Sequence, residues 1–161
     1  MIAIDTQSLS TPTGGALLSK SSMSSYLNRA RKAVGLEGDV EVLLTGDAEL
    51  KRLNRSFRGK NKATDVLSFP AAPEIAHVHA GDLAISLDTA ERQAEEFGHS
   101  LRDEVRILLL HGLLHLAGFD HETDKGEMAA REATLRTRLK LPTTLIERTA
   151  GAKVNATGGK R

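Results

Sequence analysis

Met23, Tyr26, Leu27, Ala30 and Val34 recur at the three- and four-residue spacing of a single helical face, and Gly35 follows as a stop. Ahead of this helix, Ile2 and Ile4 alternate with the period of a short strand. Val40 to Leu44 reads as a second strand, and Asp47 is placed to cap a short helix through Leu53 and Asn54. Thr64 to Phe69, ended by Pro70, and Asp82 to Leu87 predict two more strands, with Ala71–Ala80 between them as a loop. Asp88 to Phe97 has the pattern of a polar-faced helix stopped by Gly98. Ser100 with Asp103 forms a capping-box signature at the head of the most apolar helix, which runs to Ala117 and meets a left-handed stop at Gly118. Asp124 with Glu127 opens a last helix to Lys140, and Pro142 blocks its continuation. Strands interspersed with helices, without an internal repeat, predict one α+β or mixed α/β domain.

Composition narrows the class. The chain has 161 residues, 40% of them apolar and 27% charged, a globular balance for one domain. Lys and Arg number 22 against 21 Asp and Glu, so attraction of the whole molecule to a polyanion is excluded while a local basic patch is not. The lack of cysteine removes disulfides, thiol nucleophiles and thiolate metal sites together. The longest aliphatic run, Ile107 to Leu110, is far short of a membrane span, and no basic-then-apolar leader opens the chain. A soluble cytoplasmic protein with no membrane partner is the expectation. Gly14 begins a near-miss to a phosphate-binding loop ending in Lys20-Ser21, but Ser19 stands where the second glycine is needed. The tail from Gly151 to Arg161 is small, polar and basic and reads as disordered.

Candidate chemistry is concentrated in two places. Three of the six histidines, His111, His115 and His121, fall within eleven residues. Positions four apart share a helical face, so His111 and His115 can bind one ion together, and Gly118 lets the chain turn back with His121. Asp120 is a candidate acceptor for an imidazole N–H. Three imidazoles leave the fourth position of a tetrahedral zinc open to water or substrate, the arrangement of catalytic sites; a structural ion, or ordinary partly buried histidines, are the competing readings. His77 and His79 also alternate but have no third partner nearby, which favours surface residues.

The second place is basic. Lys51, Arg52, Arg55, Arg58, Lys60 and Lys62 lie in one stretch with no acidic residue. Such a run is either a solvated face or a polyanion site. Arg58, between Phe57 and Gly59, reads as part of a fixed loop, where a guanidinium fork can hold a phosphate through two hydrogen bonds. With four Phe, one Tyr and no Trp, base stacking is not expected to be a major recognition device.

Two resemblances bear on the histidines. The stretch from His111 to His121 is similar to the metzincin protease signature, but Gly112 occupies the position where that signature has its glutamate base. A Glu there would set negative charge in the path of a phosphodiester, and Leu109, Leu113 and Leu116 point to a buried helix with little space for it. Asn54-Arg55 through Arg58, Thr64–Pro70, Gly81–Ser86 and His111–His121 together resemble the YbeY endoribonuclease family, in the family's order. That resemblance implies a zincin-like α+β single domain over residues 1–141. A small mixed sheet packs with helices, the metal site lies on the long buried helix and following turn, and 142–161 form a C-terminal tail. It implies a single-strand-specific, zinc-dependent endoribonuclease with one Zn(2+) on His111, His115 and His121, and Arg58 as the catalytic arginine. It further implies a role in maturing the 3′ end of small-subunit ribosomal RNA and in ribosome quality control. The partners implied are ribosomal RNA or the small subunit, with ribosomal proteins or assembly GTPases. An RNA-binding assembly factor with a structural zinc, or a hydrolase of another substrate such as a peptide, are the alternatives.

Overall fold

Alternation along four short strands sorts their side chains onto the two faces of one sheet. In the computed structural model, which describes residues 1–5, 18–60, 64–120 and 122–148, these are β1 (Ile2–Ile4), β2 (Asp39–Thr45), β3 (Val66–Pro70) and β4 (His79–Ser86). Their order is β1-β2-β4-β3, with β1, β2 and β4 parallel and β3 antiparallel to β4 at one edge. The register sets Ile2, Val42, Leu83 and Ser68 in one row and Ile4, Leu44, Ile85 and Val66 in the next. This face meets α1 (Lys20–Val34) and the long helix Leu101–Leu116, with Met23, Tyr26, Leu108 and Leu109 buried between them. The other face carries a smaller cluster, Leu50, Leu67 and Ala84, under α2 (Asp47–Arg58). The remaining helices are α3 (Leu87–Phe97), directly after β4, the long helix as α4, and α5 (Glu127–Leu139) beside it. The α+β class and the small mixed sheet expected from the sequence are what the chain adopts.

Three local expectations are corrected. Asp47 is not a cap: Gly46 holds that position, and the first-turn N–H of Asp47 bonds to Asp88 Oδ2 at 2.9 Å, so α3 caps α2. Burial alone would raise the Asp47 pKa, but hydrogen bonds from Ser86, Thr89 and Arg92 outweigh it and hold the carboxyl below its ordinary value. β4 starts at His79, so the expected loop shortens and contains a 3₁₀ turn at Pro73–Ile75. Pro70 is the last residue of β3, tolerated because an edge strand has no ladder partner on its outer side. Ser100 does cap α4, accepting from the N–H of Asp103 at 3.1 Å.

After α5 the chain turns at Lys140, which has a φ of 58°, and returns over the domain. There Arg148 grips the fully buried Glu104 of α4 through two hydrogen bonds of 2.7 and 2.8 Å. Among the described residues no helix is long and apolar enough to cross a membrane. The first half of the Gly14–Ser21 stretch, Lys62, His121 and the Gly151–Arg161 tail lie outside the described residues; Lys20 and Ser21 begin α1.

Candidate metal and phosphate site

α4 is buried around most of its circumference, so its two histidines must be accommodated by specific partners. His111 is 5% exposed, and its Nδ1–H donates to Glu132 Oε2 on α5 at 2.8 Å. Glu132 is fully buried, and its other oxygen accepts the Ile146 N–H at 3.1 Å. His115 donates its Nδ1–H to the Phe119 carbonyl at 3.0 Å. That carbonyl is brought back over the helix end by Gly118, whose φ of +100° a residue with a side chain would rarely adopt.

These acceptors assign the tautomers, since a carboxylate and a carbonyl can only accept. A neutral ring held in this way carries its lone pair on Nε2, and the two Nε2 atoms face each other at 3.1 Å, with the rings 76° apart. Lone pairs so placed repel unless a proton or metal ion draws them together. Two nitrogens on one tetrahedral zinc, at the usual bond length, stand about 3.3 Å apart. The pair fits such an ion, and the Glu132 and Phe119 contacts are the outer hydrogen bonds that orient metal-binding imidazoles. Among the described residues no group of three His, Cys, Asp or Glu is close enough to hold a metal, and His121 is outside them.

The histidines open onto a cleft of about 660 Å³ that runs past the outer edge of β3 to the end of α2. Arg58, Lys60, Asn54, Asp65 and Ser68 line it together with the two imidazoles. Arg58 is not in a loop as expected. It is the last residue of α2, fixed by the left-handed Gly59, whose N–H bonds to Arg55 O at 3.2 Å. The backbone is thus anchored while the guanidinium stays exposed at the negative end of the helix dipole. Arg52, from the same basic run, is tied to Glu49 at 2.8 and 2.6 Å and turned to other use.

Asp120 lines the cleft, but neither described imidazole bonds to it; its carboxylate accepts the Glu122 N–H. Glu132, the residue that does orient His111, was missed. Its signal was an acid on the apolar stripe of α5, with Met128, Leu135 and Leu139. His77 is exposed on a turn, and His79 lies 3.4 Å from Asp82, so they form no second histidine pair at the cleft.

At Gly112 the structure accounts for the lack of space. A Cβ there would lie 2.8 Å from Leu83 Cδ2 and 3.4 Å from Val66 Cγ2, inside the seam between α4 and the sheet. The Gly112 carbonyl also accepts from Ser68 Oγ at 3.3 Å, tying β3 to the helix. Gly112→Glu is therefore expected to destabilise the fold by about 2–3 kcal/mol, through overpacking and burial of a carboxyl, as read by denaturant unfolding. Wild-type stability together with new peptide hydrolysis would show that position 112 opens onto the cleft.

Comparison with known proteins shows the family. The family described as endoribonuclease YbeY matches residues 16–140. The endoribonuclease YbeY of Koribacter versatilis is 61% identical over 132 residues, covering 82% of this chain and 85% of its own length. That of Nautilia profundicola is 56% identical over 110 residues, covering 68% and 78%. The solution structure of TM1509 from Thermotoga maritima aligns with a TM-score of 0.56 at 31% identity, covering 86% of this chain and 89% of that one.

Proposed function

The chain belongs to the endoribonuclease YbeY family, and from that premise we propose that it cuts single-stranded RNA with one zinc ion held by His111, His115 and His121. The observation that carries the reading is the cleft itself. It is lined by His111 and His115, whose Nε2 atoms face each other at 3.1 Å, and by Arg58. When bound, the ion supplies Lewis acidity toward a phosphoryl oxygen and toward water.

The chain's own residues do the rest. Glu132 and the Phe119 carbonyl hold both imidazole Nδ1 protons, so the Nε2 lone pairs stay directed at the ion's position. Arg58 holds the scissile phosphate through its fork and offsets charge as it grows on the phosphoryl oxygens. Lys60, which also lines the cleft, adds positive charge. The attacking oxygen is that of water or of the RNA 2′-hydroxyl, and either route uses this arrangement. The natural substrate we propose is the 3′ end of small-subunit ribosomal RNA, with a role in ribosome quality control. Family membership supports this, and mapping of ribosomal RNA ends in cells lacking the protein tests it.

The direct test is cleavage of a defined single-stranded RNA by extensively purified protein, with and without chelator, beside a His111→Ala/His115→Ala variant. Wild type should carry one zinc per chain and cut; the variant should carry none and be inactive. Equal zinc content in the two proteins would defeat the metal assignment. A stripped wild type that keeps its fold but loses cleavage separates a catalytic ion from a structural one.

A further inference from the structure

The apolar stripe of α2 is longer than the sheet it covers. Leu50, Leu53 and Phe57 recur along one face, and the first two pack with Leu67 and Ala84. Phe57, a turn further on, passes the end of that cluster. Its ring meets Phe69 of β3 edge-to-face, centroids 5.5 Å apart at 68°, yet Phe57 remains 69% exposed. A single exposed apolar side chain is ordinary on a protein surface. What makes this one informative is its place.

β3 bonds to β4 on one side, and its other side borders the cleft. Ser68 and Pro70 line that cleft, and Phe69 between them packs on the face under α2 with Leu67 and Ala84. Arg58, the neighbour of Phe57, lines the same cleft, as do Ser68 and Pro70 on either side of Phe69, so the two rings lie just outside its lining. Lys51, Arg55, Arg58 and Lys60 surround the rings in sequence, and no acidic residue interrupts them. The other two phenylalanines are engaged elsewhere: Phe97 lies under the Arg148 guanidinium and Phe119 packs on the main core.

We infer that Phe57 and Phe69 form a stacking subsite for one unpaired nucleobase of the RNA strand, beside the phosphate held by Arg58. The inference rests on the RNA reading above. A single strand tracks a cationic groove with its phosphates while its bases seek aromatic faces, and every base offers one. A base paired within a duplex cannot reach such a ring, so the subsite selects unpaired RNA without reading sequence. The scarcity of aromatics in the chain limits the device to one base; it does not remove it.

The test uses the full-length protein and two variants, Phe57→Leu and Phe57→Trp. Leucine keeps apolar bulk, favours the helix and lacks a ring face. The probe is a short 2′-O-methyl oligoadenylate, titrated by fluorescence anisotropy and recovered intact. Phe57→Leu should bind it about 5- to 100-fold more weakly, and Phe57→Trp at least as tightly as wild type. An abasic strand of equal length should bind all three proteins alike, and the salt dependence of oligoadenylate binding should not change, because the phosphate contacts are untouched. Undiminished oligoadenylate binding by Phe57→Leu, an equal loss with the abasic strand, or no measurable binding by wild type overturns the subsite. Cleavage of unmodified RNA is measured in parallel. Wild type that binds through the ring but cuts nothing sinks the nuclease reading alone, and wild type that cuts while Phe57→Leu keeps its KM sinks the subsite alone.

Discussion

Replacing Arg58 by lysine is expected to slow RNA cleavage by about 100- to 1,000-fold, the usual cost of removing one well-placed donor to developing charge. The melting temperature should not move. Arg58 is exposed at the end of α2, and what terminates that helix is the backbone of Gly59 and Lys60, bonded to Arg55 and Asn54. Lysine preserves the charge and the helix but not the planar fork, so the substitution separates two-point contact with a phosphate from mere attraction to it. If attraction were enough, the loss would be small and would shrink further as salt rose. The measurement is single-turnover cleavage of a defined RNA at saturating protein, with Tm recorded beside it. A rate within a few-fold of wild type would rule out a bidentate contact in the transition state.

The second large effect is on stability. Arg148→Ala should cost about 3–5 kcal/mol, because it strands a buried carboxylate rather than merely removing a contact. Glu104 is fully buried in α4, and its oxygens are shared between the Arg148 fork and His99, whose Nε2 lies 2.7 Å away. The Arg148 guanidinium also stacks 4.4 Å over the Phe97 ring, which lysine cannot reproduce fully. For a chain of this size the loss corresponds to a fall of roughly 6–20 °C in melting temperature. Arg148→Lys should fall between wild type and alanine. The consequence reaches the cleft, because Ile146, two residues away, donates to Glu132, and Glu132 orients His111. A loss below about 1 kcal/mol in Arg148→Ala would mean that Glu104 is not held by this pair.

The linear chain already determined the elements. Spacing fixed α1 from its five buried residues, Ser100 marked the start of α4, and the 111–115 interval put two imidazoles on one face, because each of these depends on neighbours within a few positions. Arg58 and the histidines were legible as chemistry for the same reason. Their meeting in one cleft was not. It depends on β3 pairing antiparallel at the sheet edge, with α4 packed on one face and α2 on the other. Glu132 was illegible as the partner of His111, since the contact spans 21 positions and exists only where α5 lies against α4. At position 112 the sequence raised both charge and lack of room on a buried helix, while only the folded chain shows what fills the room, the Leu83 side chain pressed beneath it. Local patterns specify which face a side chain takes; long-range packing alone decides what that face meets.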